Sequence, residues 1–219
     1  MTEITLLQRY PRAKRPIEER ASKKTAYNIA IAKKFGKEYF DGPRTQGYGG
    51  YYYHEKFWTN VVHDFIKYYC LTNNSKILDV GCAKGFMLHD FRKYLPNMTV
   101  RGIDISEYAI ANAIEDIKPF VEVGNANDLS RFNDKQFDLV ISINTIHNLK
   151  LKECKQALKE IQRVGKNAFV TVDAWRNDWE KEKMLQWNLT AETLMHVNDW
   201  KKLFKEVGYK GDYFWFFPE

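Results

Sequence analysis

Short apolar runs alternate with stretches of helical periodicity between residues 75 and 175. The runs are rich in Val, Ile and Leu and are bounded by glycine or polar residues, which is typical of buried strands. Strands are predicted at residues 76–80, 98–104, 119–123, 137–143 and 168–173, and helices at about 86–95, 106–117 and 152–164. Alternation of this kind predicts an α/β fold with a doubly wound, mostly parallel sheet.

Both ends of the chain add further elements. The pattern predicts helices at residues 17–35, 54–70 and 197–207, and an aromatic strand, buried on both faces, at residues 212–217. Gly36 and Gly208 end the first and the last of these helices. We therefore expect a single domain, in which residues 71–219 form the core and residues 1–70 form an N-terminal helical arm and lid.

Residues 41–53 (DGPRTQGYGGYYY) contain four glycines and four tyrosines. Glycines give a mobile backbone and tyrosines supply flat faces with a polar tip, so this segment suits a lid over a small-molecule site. A surface loop whose rings pack on the body is the alternative. Tyr48 and Tyr51 are candidate substrate-binding residues in either arrangement.

The net charge of +6 is concentrated in the arm, since residues 1–40 contain ten Lys or Arg against four Asp or Glu. A basic arm is compatible with nucleic acid, an anionic membrane or a phosphorylated small substrate, although a solvated helix face is the commonest explanation. No RNA-binding module is evident, so nucleic acid is disfavoured and a small-molecule acceptor is expected. The sequence does not indicate an oligomeric state.

The cysteine spacing and the hydropathy of the chain indicate the cellular compartment in which the protein is expected. Cys70, Cys82 and Cys154 lie far apart without a C-x-x-C motif, which predicts neither a disulfide framework nor a metal site. No apolar run is long enough to span a bilayer, and no signal-peptide pattern follows the charged amino terminus. We expect a cytoplasmic protein with no membrane partner and no metal.

The segment SKILDVGCAKGFMLHDF, residues 75–91, predicts a buried strand, a tight glycine turn and the start of a helix. Ligands bind at such turns because small residues allow close approach to backbone N–H groups. The turn is not the dinucleotide fingerprint G-x-G-x-x-G. It resembles the first motif of class I S-adenosylmethionine (SAM) dependent methyltransferases, D/E-x-G-x-G-x-G, with Ala83 at the middle glycine. The cofactor-binding candidates in it are Asp79, Gly81, Cys82, Ala83 and Gly85.

Asp104 ends the second predicted strand, nineteen residues after Gly85. Nucleotide-binding α/β sites place an acid at this offset, where it accepts hydrogen bonds from both ribose hydroxyls. The position resembles the second methyltransferase motif, which implies that Ile105 packs on the adenine ring.

Two later segments extend the resemblance. GNANDL, residues 124–129, is similar to the family's G-D-A-x-x-L, so Asn125 and Ala126 are implied at the adenine, with Asp128 as another possible reader of the adenine amino group. FDLVISINTIHNL, residues 137–149, is similar to F-D-hhh-x-x-x-h-H-x-L and adds Ser142 to the cofactor candidates. The motifs cover residues 75–173 and imply a seven-stranded-type sheet whose last strand, 212–217, is antiparallel, with residues 189–196 as its possible partner.

The reaction implied by the resemblance is in-line displacement at the methyl group of SAM. Orientation supplies much of the rate, and a base is needed where the nucleophile carries a proton. His147 and Asn144, after the fourth strand, are the catalytic candidates, and a structural role for His147 is the alternative. His54 and Asp173 are further candidates for the base.

The acceptor is the least determined part of the prediction. Arg44, Trp175 and Arg176 suit a phosphorylated, sugar or carboxylate acceptor methylated at oxygen, and a weaker resemblance to bacterial surface-polysaccharide methyltransferases agrees with this. A catalytically inactive SAM-binding regulator and an RNA or protein methyltransferase are the alternatives. A nicotinamide enzyme is disfavoured because no Tyr-x-x-x-Lys pair follows the fourth strand.

Overall fold

A computed structural model describes residues 1–12 and 15–218 of the chain. The strands are β1 (Lys76–Val80), β2 (Thr99–Asp104), β3 (Val121–Val123), β4 (Phe137–Ile143), β5 (Gly165–Trp175), β6 (Met195–His196) and β7 (Asp212–Phe216). The helices are α1 (Ile17–Ser22), α2 (Ala26–Ala32), α3 (Lys37–Asp41), α4 (Glu55–Tyr68), α5 (Phe86–Tyr94), α6 (Glu107–Ala111), α7 (Leu151–Val164), α8 (Asp178–Trp187) and α9 (Val197–Glu206). The α/β alternation predicted from the sequence is confirmed.

Within the described residues the strands form one seven-stranded sheet with the order β3-β2-β1-β4-β5, and β7 and β6 both pair with β5. Alternate side chains of β1 point to opposite faces of the sheet, and each face has its own hydrophobic core. Leu78 and Val80 pack with the face that α7 and α9 cover, while Ile77 packs with the face that α4 and α5 cover. The sheet is therefore buried on both faces, as continuous apolar strands require.

The antiparallel direction expected for the last strand is wrong. β7 pairs in parallel with β5, from Phe169 opposite Asp212 to Asp173 opposite Phe216. The reason is the connection, because the chain crosses from β6 through α9 before it returns, and a crossover brings a strand back in the same direction. Nor is 189–196 its partner, since β6 pairs with β5.

The last strand also differs in burial from the expectation. Tyr213 and Trp215 are buried, but the other residues of β7 are only half-buried, so one face rather than both is enclosed. On the far edge of β7 the backbone of Ile4 donates to the Tyr213 carbonyl, which ties the amino terminus to the sheet.

The predicted helix at 17–35 is two helices, α1 and α2. The Thr25 hydroxyl accepts a hydrogen bond from the backbone N–H of Asn28 and starts the second helix. A third short helix, α3, occupies residues where the irregular lid segment was expected to begin. Helix α6 ends at Ala111 rather than near 117, because the backbone N–H of Ile114 bonds to the Lys84 carbonyl in the glycine turn.

Helix α8 was not predicted. It begins after Asn177, whose side chain accepts a hydrogen bond from the backbone N–H of Glu180. In the part of the chain that the structure describes, no helix is both long and apolar enough to cross a membrane.

Candidate functional site

A cavity of about 1090 Å³ opens at the carboxyl ends of the central strands and is covered by the arm. Sixteen of the predicted site residues line it: Asp79, Gly81, Cys82, Ala83, Asp104, Ile105, Asn125, Ala126, Asn144, His147, Tyr48, Tyr51, Arg176, Arg44, His54 and Asp173. Asp128 and three others do not. Gly85 is the N-cap of α5, the buried Ser142 hydroxyl donates to the Val80 carbonyl, and Trp175 lies beside Lys181.

The glycine turn is shaped by three left-handed residues, Gly81, Ala83 and Gly85. Gly81 has φ of +88°, and a Cβ there would lie 2.1 Å from the Thr145 hydroxyl oxygen, so glycine is required. Ala83 has φ of +48°, a conformation that is costly for an L-residue with a side chain. The turn keeps this conformation because the Ala83 N–H donates to Asp104 at 2.8 Å.

Two carboxylates face the cavity next to this turn. Asp104 accepts backbone hydrogen bonds at both oxygens, from Ala83 and, at 2.9 Å, from Ser106. Burial raises the pKa of Asp104. Burial, together with the charge of Asp104, raises the pKa of Asp79 to about 7. A cationic ligand in this part of the cavity would favour the ionised form of both acids.

The expected adenine contacts occupy the neighbouring wall. Ile105 is 54% exposed although it lines the cavity, which leaves an apolar face open to a ring. Asn125 accepts a hydrogen bond from the backbone N–H of Asn127, at 3.2 Å. Asp128 lies outside the cavity and accepts from Ser130. Of the two readers considered for the adenine amino group, Asn125 is the one at the site.

Asn144 is held by Thr171. Its backbone has φ of +51°, and its side-chain oxygen accepts a hydrogen bond from the Thr171 hydroxyl at 2.8 Å. Among the described residues the Asn144 side-chain nitrogen donates to none, so this donor is available to a ligand.

His147 is paired with Asp173. Its Nδ1 accepts the backbone N–H of Asp173 at 3.2 Å, which assigns the ring proton to Nε2, and Nε2 lies 3.6 Å from the Asp173 carboxylate. Burial lowers the pKa of His147, whereas burial raises the pKa of Asp173. The Asn188 side chain also donates to this carboxylate. The neutral His147 imidazole therefore orients the buried Asp173 side chain.

The predicted lid, residues 41–53, is joined to the glycine turn by a buried ion pair. Lys84 Nζ lies 2.7 Å from Asp41, and it also donates to the Tyr51 carbonyl at 2.9 Å. The Tyr108 hydroxyl donates to the same Asp41 carboxylate at 2.6 Å. The side chains of Lys84 and Asp41 are only 7% and 13% exposed. This connection places Tyr48 and Tyr51 over the cavity.

Sequence analysis missed Tyr39, Arg20 and Trp187, which also line the cavity. The guanidinium carbon of Arg20 lies 4.2 Å from the centroid of the Trp187 ring. Arg20 was one cation of a basic arm, and Trp187 belongs to the helix that was not predicted. No local signal distinguishes them. Arg176, which was predicted, pairs with Glu180 at 2.5 Å.

Comparison with known proteins agrees with the fold. A sequence model described as a methyltransferase domain matches residues 71–210. Over 100 residues the chain is 32% identical to the mouse protein named arginine-hydroxylase NDUFAF5, mitochondrial, a match that covers 44% of this chain and 27% of that protein. Most of that relative therefore lies outside the match.

Two solved structures show the same fold. The YcgJ protein from Bacillus subtilis has a TM-score of 0.53 at 17% identity, over 67% of this chain and 66% of that one. The BH2331 protein from Bacillus halodurans C-125 has a TM-score of 0.53 at 21% identity, over 67% and 68%. Together with the family match, these similarities show that the chain belongs to the methyltransferase domain family and has the fold of the class I SAM-dependent methyltransferases.

Proposed function

We propose that this protein transfers the methyl group of SAM to an oxygen atom of a small anionic acceptor. The observation that carries the proposal is a single cavity with two differently lined ends. One end contains the glycine turn with Asp79 and Asp104, and the other contains Arg20 and Arg44 among aromatic rings. A cationic cofactor and an anionic acceptor would each meet charges of opposite sign.

The residues at the first end suit SAM. Each Asp104 oxygen accepts a hydrogen bond from one backbone N–H, which fixes the carboxylate. Each oxygen keeps a lone pair that can accept a hydrogen bond from a ribose hydroxyl. Ile105 supplies an open apolar face, and Asn125 is the polar group beside it. Asp79 adds negative charge for the amino acid end of the cofactor.

Bound SAM supplies an electrophilic methyl carbon on a positively charged sulfur. The protein's contribution is to hold the acceptor oxygen in line, to exclude water and to take the acceptor proton. We assign the proton to the Asp173 carboxylate, because both His147 nitrogens are directed at Asp173 in this arrangement. Burial raises the pKa of Asp173, which makes its carboxylate a stronger base than an exposed aspartate. His147 then positions Asp173, and the free donor of Asn144 orients the acceptor.

A small acceptor fits better than a macromolecule because the arm covers the cavity. Arg20 and Arg44 line the interior, so part of the basic charge of the arm faces the site rather than an open nucleic-acid groove. The mouse relative is named a hydroxylase, but the match covers only 27% of that protein. Its name therefore does not determine the reaction of this chain.

The proposal is tested by incubating the protein with SAM and a panel of carboxylic, phosphorylated and sugar-linked hydroxy compounds, and by measuring S-adenosylhomocysteine formation. We expect turnover with anionic hydroxy compounds and none in Asp173→Asn. Cofactor binding without turnover of any acceptor, or turnover of an RNA or a protein alone, would contradict it.

A further inference from the structure

We propose that the acceptor is an organic acid with a flat apolar body, whose anionic group binds to Arg20 and Arg44 beside Trp187. This inference rests on the proposed function and specifies its substrate class. The body lies against the tyrosines of the cavity, and the oxygen that is methylated is a hydroxyl at the opposite end of the molecule from the anionic group.

Arg20 is the central observation. Its Nη2 donates to the Gly47 carbonyl at 3.0 Å, whereas its Nε is buried and has no hydrogen-bond partner among the described residues. Burial, reinforced by the charge of Arg44, lowers the pKa of Arg20 to about 10, so the guanidinium remains cationic at neutral pH. A buried N–H without an acceptor is unfavourable, and a carboxylate or phosphate oxygen would satisfy it.

Arg44 adds a second charge at the same place. Its guanidinium carbon lies 5.8 Å from the centroid of the Trp187 ring, and that of Arg20 lies 4.2 Å away. Arg44 also donates to the Tyr48 carbonyl. Within residues 1–12 and 15–218 neither arginine forms an ion pair. Two neighbouring guanidinium groups repel each other unless an anion lies between them.

The space between these arginines and the cofactor end is aromatic. The ring centroids of Tyr39 and Tyr48 are 5.2 Å apart, and those of Tyr48 and Tyr51 are 4.6 Å apart. Tyr51 stacks on Phe86 at 5.0 Å with an angle of 19° between the planes. Tyr48 is 40% exposed although its ring lines the cavity. Flat rings with few polar groups favour a planar or apolar body over a polyhydroxylated one.

The electrostatic neighbours of these residues give their order. Arg20 interacts with the hydroxyls of Tyr39 and Tyr48, and Tyr51 interacts with Asp79 and Asp104. Tyr39 interacts with both Arg20 and Asp104, so it lies between the two groups of charges. The phenols stay neutral, because the neighbouring Tyr39 phenol and burial raise the pKa of Tyr48 and burial raises that of Tyr51. The tyrosines thus separate the arginines from the cofactor acids.

This order decides which oxygen reacts. An acid held at the arginines presents the far end of its body to the methyl group, so a hydroxyl is methylated and the acid group is not esterified. The hydroxyl oxygen forms a bond to the methyl carbon, the carbon–sulfur bond breaks with its electron pair on sulfur, and the hydroxyl proton passes to Asp173.

The test is calorimetry on the full chain saturated with S-adenosylhomocysteine, using benzoate, benzamide, phenyl phosphate and inorganic phosphate as probes. We expect benzoate or phenyl phosphate to bind at least about tenfold more tightly than the neutral benzamide, and the tighter of the two identifies the acid. Inorganic phosphate should bind more weakly than phenyl phosphate because it lacks the body.

Arg20→Gln and Arg44→Gln should each abolish the preference for the anionic probe, and Arg20→Lys should retain part of it. Arg9→Gln is the matched control, since Arg9 pairs with Asp64 at 2.6 Å and lies outside the cavity. The proposal is overturned if neither benzoate nor phenyl phosphate binds to the unmodified protein more tightly than benzamide. It is also overturned if Arg20→Gln weakens S-adenosylhomocysteine instead of the probe, because Arg20 would then bind the cofactor.

The two proposals fail in different ways. Absence of S-adenosylhomocysteine binding with a retained preference for benzoate removes the methyltransferase function and leaves the anion subsite. Tight S-adenosylhomocysteine binding without any anion preference removes the subsite and leaves the function.

Discussion

The two ends of the cavity are constructed differently. The cofactor end comes from strands that are neighbours in the sheet, and its acids are fixed by backbone hydrogen bonds, as in the contacts of Asp104 with Ala83 and Ser106. The acceptor end is assembled from α1, the lid, α8 and the last strand. Parallel strands in a buried sheet give a rigid frame, whereas side chains from separate segments depend on how the arm is attached.

Several polar contacts join the arm to the frame near the glycine turn. One is the ion pair of Lys84 with Asp41, and another is the hydrogen bond from the Ser106 hydroxyl to the Phe35 carbonyl, at 2.5 Å. Since Lys84 belongs to the glycine turn itself, the same loop holds the cofactor and the lid. The two ends of the cavity are therefore expected to be coupled.

Breaking the ion pair between Lys84 and Asp41 should give the largest effect, a loss of stability. Lys84→Met leaves Asp41 buried without its cation, which typically costs about 3–5 kcal/mol, so we expect a loss of about 3 kcal/mol in the free energy of unfolding in urea. Lys155→Met is the control, because Lys155 pairs with Glu206 on the surface and such pairs contribute about 0–1 kcal/mol. Equal losses of unfolding free energy in the two variants would show that the Lys84–Asp41 pair stabilises the protein no more than a surface ion pair does.

The pH dependence of cofactor affinity should be the next largest effect, and it belongs to the cofactor end alone. A cationic cofactor favours ionised Asp79, whose pKa is about 7 in the free protein, so binding releases a proton. Affinity for SAM should therefore rise about tenfold from pH 6 to pH 8 by calorimetry. In Asp79→Asn the affinity should rise much less over this range, since only Asp104 then remains to release a proton. Constant affinity in the unmodified protein would remove Asp79 from the cofactor site.

Asp79 gives the free energy of unfolding a pH dependence of the opposite sign. The unfolded carboxyl ionises near its ordinary pKa of 3.8 and the folded one near 7, so the folded protein retains the proton between these values. The free energy of unfolding of the cofactor-free protein should fall as the pH rises through this range, because the unfolded state binds fewer protons. Asp79→Asn should reduce this slope in urea titrations at pH 5 and pH 7, and the raised pKa values of Asp104 and Asp173 should account for the slope that remains.

The smallest effect is expected in the lid. The backbone N–H groups of Tyr48 and Gly50 donate to the carbonyls of Tyr39 and Phe40. If cofactor binding stabilises the glycine turn, Lys84 transmits part of that stabilisation, and S-adenosylhomocysteine should slow hydrogen exchange at these amides about threefold or more. Helix α9 contributes no residue to the lining of the cavity and serves as the internal control. Unchanged exchange at Tyr48 and Gly50 would mean that the lid is independent of the cofactor.

The same contrast explains what the sequence could predict. The cofactor end is local, because a strand, a turn and a helix place Asp79 and Gly81 within a few residues, and Asp104 follows at a regular offset. Here the predicted residues reach the cavity, apart from Gly85 and Ser142, which shape the backbone and the core around it.

The acceptor end depends on tertiary structure. The sequence does not show that Arg20 lies beside Trp187, and a helix with little amphipathic pattern supplies that ring. The parallel direction of β7 likewise follows from the crossover through α9 rather than from its own residues. These features arise between segments that are far apart in the chain.

The most direct test of the methyltransferase site is calorimetric titration of S-adenosylhomocysteine into the unmodified protein, Asp104→Ala and Asp128→Ala. Loss of two charge-assisted hydrogen bonds, about 3 kcal/mol, should weaken binding about 100-fold in Asp104→Ala. Binding in Asp128→Ala should be unchanged, since Asp128 lies outside the cavity. Equal affinity of Asp104→Ala and the unmodified protein, or no binding to either, would contradict the account.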